Sequence, residues 1–184
     1  FFTSWLTGYG TYHEEALEHD KLLIVDYLQN QGYANATVDV RASENEEGQL
    51  LISISAQKGA LFHIGRVTIH DNTLIKADKI RESFGLKQND IFSPEELRNA
   101  IERVEHLFGK DGYIEAHVDY TLLLQPGAPT YNIELSVEEG EKYKIGLINV
   151  LGNTSTNKNV ILREPLLVPG EVFDSRRLKA TERR

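Results

Sequence analysis

From Phe62 to Ile69 apolar and polar positions alternate, with Phe62, Ile64, Val67 and Ile69 as the apolar set and a slip at Gly65-Arg66. Period two predicts a half-buried strand, and the slip predicts a bulge inside it. After the turn Asp71-Asn72-Thr73, Ile80 and Phe84 fall on one face of a short helix predicted over 76–84. Ser93-Pro94-Glu95-Glu96 then combines a capping serine, a proline at the first helical position and a glutamate three residues after the cap. That is a helix start. Leu97, Ile101, Val104 and Phe108 recur at three- and four-residue spacing, which makes one apolar stripe, and Gly112 marks its end. Two alternating runs, 114–123 and 131–138, flank the turn Gln125-Pro126-Gly127-Ala128-Pro129. The order is β-α-α-β-β, an α+β unit with two helices on one face of a three-stranded sheet.

Parts of this unit occur again. Gly59 to Asn72 matches Gly140 to Asn153 without a gap, a shift of 81 residues, and Ile80, Phe92 and Leu97 fall on Ile161, Phe173 and Leu178. Gly32-Tyr33-Ala34-Asn35-Ala36-Thr37-Val38 matches Gly112-Tyr113-Ile114-Glu115-Ala116-His117-Val118 at a shift of 80. An internal period means tandem copies of one supersecondary unit. Ahead of Gly32, Leu17, Leu22, Val25 and Leu28 fit an amphipathic helix over 14–31, and strands are expected over 34–42 and 50–56 around Asn45-Glu46-Glu47-Gly48. At the other end 143–151 reads as a first strand, Asn157 as the cap of a short helix and Asp174 as the start of the next. Three repeats follow: 1–58 without its first strand, 59–139 complete, and 140–184 without its last two strands. The absence of a methionine in a chain of 184 residues also suggests a piece of a longer precursor.

Charge and composition narrow the chemistry. A net charge of −8 lacks the cationic surplus that non-specific nucleic-acid binding needs. There are no cysteines, hence no disulfide, thiolate metal site or cysteine nucleophile. Gly8-Tyr9-Gly10 starts like a dinucleotide loop, but His13 stands where the third glycine belongs. His13 and His19 are six apart, about 120° round a helix, and so do not share the face that a zinc motif requires. The pairs Glu46-Glu47 and Glu138-Glu139 lie at a turn and a strand end, where solvated charge is the plain reading, and Arg163-Glu164 reads as a local surface pair. No catalytic, cofactor or metal residues emerge, and no cofactor or small-molecule substrate is expected.

The tandem order resembles the POTRA (polypeptide-transport-associated) repeat of the Omp85 family. The signature is an alternating strand ending in Gly152-Asn153, a short helix, the turn Val168-Pro169-Gly170-Glu171-Val172-Phe173, a long helix, Gly112-Tyr113 with Ala116 and Val118 behind it, and a hairpin ending in Val137-Glu138-Glu139-Gly140. His70-Asp71-Asn72 departs from it where Gly-Asn is preferred. Phe1-Phe2-Thr3-Ser4-Trp5-Leu6-Thr7-Gly8 resembles an aromatic insertion between helices in the outer-membrane assembly branch. The resemblance implies a three-stranded mixed sheet and a non-enzymatic region at the periplasmic face of the bacterial outer membrane, preceding its own C-terminal membrane β-barrel. It implies unfolded outer-membrane proteins and accessory lipoproteins as partners. Related secretion, translocation-assembly and chloroplast-import members are the alternative, as is a rigid spacer and partner dock.

In this fold the strand after the long helix is expected at a sheet edge, whose unpaired backbone groups can accept an incoming strand. Its candidate contacts are Ile114, Ala116, Val118, Tyr120 and Leu122; a plain stable strand with a solvated face is the competing possibility. Gly59, Phe62, Gly140 and Tyr143 mark the seams between repeats. Phe1, Phe2, Trp5 and Tyr9 form either a small satellite core or an aromatic docking patch.

Overall fold

The computed structural model describes residues 14–44, 46–154, 157–163 and 165–183. The chain forms two compact units, one built from the chain up to His63 together with Ile91–Glu96, the other from Ile64–Asp90 and from Leu97 onward.

In the first unit helix α1 (Glu14–Asn30) precedes the antiparallel hairpin β1 (Thr37–Glu44) and β2 (Leu50–Gln57). Leu28 buries against Ala36 and Val38, with Ile24, Val25, Tyr33 and Val40 packed around them. The helix ends in a Schellman turn: Gly32 has φ +97°, its N–H donates to Gln29 O, and Tyr33 N–H reaches back to Leu28 O. A positive φ at that position suits glycine, and Tyr33 supplies the accompanying apolar contact with Leu28. The β2 side chains are exposed throughout.

In the second unit β3 (His63–His70) begins at the unit boundary and leads through helices α2 (Ala77–Phe84) and α3 (Pro94–Gly109) to the hairpin β4 (His117–Leu124) and β5 (Thr130–Glu138). The sheet order is β3-β5-β4, so the strand last in sequence lies in the middle. β4 and β5 are antiparallel. Hydrogen bonds link Arg66 to Asn132, Asp71 to Ser136 and Thr73 to Glu139, at sequence separations of 66, 65 and 66. A nearly constant separation means that β3 and β5 run in parallel, and the sheet is mixed, as the resemblance implies. One face buries Ile64, Val118, Ile133, Leu135 and Val137; Ile80 and Phe84 of α2 and Leu97, Ala100, Ile101, Val104 and Phe108 of α3 are among the buried helix positions. The apolar stripe read from the sequence is therefore the core-facing side of α3.

At the slip Gly65-Arg66 a side chain of β5 meets the backbone of β3. Asn132 turns its Oδ1 into β3 and accepts from Arg66 N–H at 2.8 Å, and a Cβ on Gly65 would lie 2.2 Å from the same oxygen. The start of α3 is capped twice: Ser93 Oγ accepts from Glu96 N–H at 3.2 Å, and Asn30 Oδ1 accepts from Glu95 N–H at 3.0 Å. At the far end of α2, Arg103 donates to Ser83 O and Phe84 O, a cation on the negative end of the helix.

Two expectations need correction. The strand after α3 begins at His117, because Ala116 N–H donates to Tyr113 O and holds Ile114 and Ala116 in a turn. The predicted first strand over 143–151 is absent: only an isolated bridge, Lys144 to Val172, forms there, and Leu147 and Leu151 are each 90% exposed. In the complete repeat β3 pairs with β5, and the described residues place no such strand beside 143–151. An alternating sequence without a partner has no ladder to join. Asn157 and Asp174 do cap the helices α4 (Lys158–Ile161) and α5 (Ser175–Glu182) through their side chains.

Glu139, just past β5, fastens the turn leading into α2. Its carboxylate accepts from Thr73 N–H and Leu74 N–H, each at 2.7 Å, and from the Thr73 hydroxyl. Burial works against its charge, but these hydrogen bonds outweigh it and lower its pKa. A lowered carboxylate pKa contributes stability above the unfolded-state value, and that contribution is lost as pH falls through the folded-state value. Glu139→Gln should therefore cost about 1 kcal/mol at neutral pH, and the two proteins should converge in acid. Urea unfolding across pH checks this; a difference that persists unchanged in acid would count against the clamp.

Candidate functional site

β4 is a free edge among the described residues. Its pairing decides which backbone groups face outward. Gln125 N–H donates to Thr130 O at 2.9 Å, and the register pairs His117 with Glu138, Asp119 with Ser136, Thr121 with Glu134 and Leu123 with Asn132. Gln125 is thus in the hydrogen-bonded phase of the ladder, which alternates along the strand. The odd-numbered residues of β4 therefore bond β5, and Val118, Tyr120, Leu122 and Leu124 turn their N–H and C=O groups away from it.

The side chains of these four residues share the core-facing side but are not equally covered. Val118 is 2% exposed, whereas Tyr120 is 46% and Leu124 58% exposed. Buried chemistry at one end of the strand thus grades into an accessible apolar strip, beside outward-facing backbone groups. On the opposite face His117, Asp119, Thr121 and Leu123 are exposed. The edge can pair with an extended chain and receive its apolar side chains on one side.

Of the five residues proposed from the sequence, the structure places Val118, Tyr120 and Leu122 on this edge and Ile114 and Ala116 in the turn before it. Leu124 was missed, although it continues the same alternation by one step. Phe1, Phe2, Trp5 and Tyr9 lie outside the described residues. Among the described residues no group of His, Asp and Glu is placed to hold a metal ion, and no helix is long and apolar enough to cross a membrane.

The seam residues take part in a hydrogen-bond pattern that occurs twice. In the first unit Phe62 N–H donates to Gly32 O at 2.8 Å and Phe92 N–H donates to Phe62 O at 2.9 Å. In the second, Tyr143 N–H donates to Gly112 O at 2.9 Å and Phe173 N–H donates to Tyr143 O at 3.1 Å. Gly59 and Gly140 both have positive φ, and a Cβ there would face Asn35 and Glu115, which are themselves 80 residues apart. Lys58 stands over the Tyr33 ring and Lys142 over the Tyr113 ring, at 5.3 and 5.5 Å. Tyr143 also hydrogen-bonds Glu115, which raises its pKa. Gly32 and Gly112, read from sequence only as a matched pair and a helix end, prove to be the acceptors at these seams.

With this geometry, comparison with known proteins is decisive for the family. The model of the POTRA family, described as surface antigen variable number repeat, matches residues 4–57 and 62–140. The chain belongs to the POTRA family. The outer membrane protein assembly factor BamA of Nitratidesulfovibrio vulgaris is 25% identical over 98% of this chain and 23% of its own length. The protein of the same name from Neorickettsia risticii is 30% identical over 95% of this chain and 25% of its own length. The POTRA chain thus spans about a quarter of these curated relatives. Among solved structures, POTRA domains 3–5 of Haemophilus influenzae BamA superpose with a TM-score of 0.70 at 20% identity, covering 94% of this chain and 69% of that one. A BamA structure from Haemophilus ducreyi lacking POTRA domains 1–3 gives 0.56 at 16% identity, over 70% of this chain and 24% of that one. The POTRA fold is shared, and the chain is a BamA-like, Omp85-type POTRA region.

The POTRA seam glycines are sterically committed. A Cβ on Gly32 would lie 2.5 Å from Ile91 Cγ2, and one on Gly112 would lie 2.6 Å from Val172 Cγ1 and 2.9 Å from Tyr143 O. Gly127 also has positive φ, +78°, but meets nothing within 4 Å. Gly127→Ala should cost about 1 kcal/mol through its backbone alone. Gly112→Ala should cost about 2–3 kcal/mol, because displacement of Val172 and the Tyr143 carbonyl is added. Urea midpoints decide between them: equal losses would remove the steric role assigned to the seam.

Proposed function

We propose that this chain is the POTRA region of an outer-membrane protein assembly factor and that it holds extended segments of nascent outer-membrane proteins by strand addition to β4. The observation that carries the proposal is the coincidence, at Tyr120, Leu122 and Leu124, of outward-facing backbone groups with accessible apolar side chains. Main-chain bonds give affinity with little dependence on sequence, while alternate side chains give modest selectivity. A membrane β-strand, alternating apolar and polar, suits an edge with one apolar side. The relatives named as outer membrane protein assembly factors support this class of client.

On this reading the region stands at the periplasmic face of the outer membrane, ahead of a membrane barrel. Repeats 1–58, 59–139 and 140–184 are its modules, and accessory lipoproteins are its further partners. Recognition, not chemical turnover, is its task.

Titration of the isotope-labelled protein with peptides taken from barrel strands tests the proposal. Amide shifts should move along β4, most at Tyr120, Leu122 and Leu124, with smaller changes on β5. Silence along both β4 and β1 would remove strand addition from the mechanism.

A further inference from the structure

The first outward donor of the β4 edge is already occupied. Val118 N–H donates to Glu105 Oε1 at 3.2 Å, and that oxygen is 2.9 Å from His117 Nδ1. His117 Nε2 in turn lies 3.4 Å from Asp119 Oδ1. Glu105 projects from the last part of α3, its side chain 28% exposed, so it is partly sheltered and not swinging free in solvent. An incoming strand that paired along the whole of β4 would have to displace this carboxylate. Among the described residues no side-chain acceptor meets the backbone donors beyond it, on Tyr120, Leu122 and Leu124.

We infer that Glu105 gates the edge: it competes with a client strand for Val118 and so fixes the register of strand addition from Tyr120 onward. The inference rests on the strand-addition function proposed above and specifies how that site is regulated. The repeat itself supplies the contrast. At the shift of 80 residues Glu105 corresponds to Val25, His117 to Thr37 and Val118 to Val38. Valine offers no acceptor, so the first repeat lacks the gating group. The carboxylate is therefore a property of the second repeat and not a requirement of the fold. An occupied donor also blunts an exposed edge against indiscriminate pairing, which is a standing hazard of such strands.

Two variants and two readouts test the gate. In the free protein, amide exchange at Val118 should be slower than at Tyr120 and Leu122, and Glu105→Ala should raise it at least tenfold while leaving the other two unchanged. With a barrel-strand peptide, Glu105→Ala should extend the shift footprint to Val118 and His117. Affinity should rise roughly three- to tenfold, the worth of one main-chain hydrogen bond. Glu105→Gln, which keeps the shape and an acceptor oxygen but not the charge, should fall between wild type and alanine. Unprotected Val118 in the wild-type protein overturns the gate whether or not peptide binds. Peptide binding with the same footprint and affinity in all three proteins also overturns it and leaves strand addition standing. Peptide silence on both edges with Val118 protected overturns the strand-addition function, and with it the role of Glu105 as a gate.

Discussion

The second unit depends on placing its last strand in the middle of the sheet. β5 must lie between β3, which it meets in parallel, and β4, which it meets antiparallel. Ile133, Leu135 and Val137 are consequently buried to within 2% of completely, because neighbours flank them on both sides and helices cover the inner face. Two consequences follow. The end of β5 comes to rest beside the turn after β3, where Glu139 can clamp Thr73 and Leu74. And β4, the penultimate strand in sequence, is left at the edge with half of its backbone groups turned outward. A local meander order would have buried β4 and presented a different strand. The candidate binding edge is thus a product of topology more than of any special residue.

Much of this was legible in the sequence because period and punctuation agree. Leu97, Ile101, Val104 and Phe108 announce α3 and its buried side, and Ser93-Pro94 announces its start. The shift of about 80 residues reveals the modules. The predicted strand over 143–151 shows the limit of such reasoning. Alternation reports that a segment fits a sheet, but a ladder needs a partner, and partnership is not a local property. Ile114 and Ala116 likewise carry strand-like alternation while a backbone bond from Ala116 to Tyr113 turns them.

The least legible residues are polar ones that reach backbone groups far along the chain. Asn132 accepts from Arg66 N–H, Asn30 caps α3, and Glu105 meets Val118. Glu139 was read as one of a solvated pair, yet its partners are 65 and 66 residues away. Nothing in local composition separates such a carboxylate from an ordinary surface charge. Gly32 and Gly112 were visible as a matched pair, but their second duty as seam acceptors appears only when Phe62 and Tyr143 are seen donating to them. At those positions the left-handed backbone and the crowded Cβ space impose the same choice of residue.

A recognition edge built this way should be tolerant of sequence and dependent on backbone, which separates it from an ordinary apolar patch. The most direct measurement is the affinity of a series of barrel-strand peptides carrying a single N-methyl group at successive positions. Pairing with Tyr120, Leu122 and Leu124 through the main chain requires losses that alternate with period two, large where the peptide N–H faces β4 and small where it faces away. Affinities indifferent to N-methylation and governed by side chains alone would contradict strand addition at this edge.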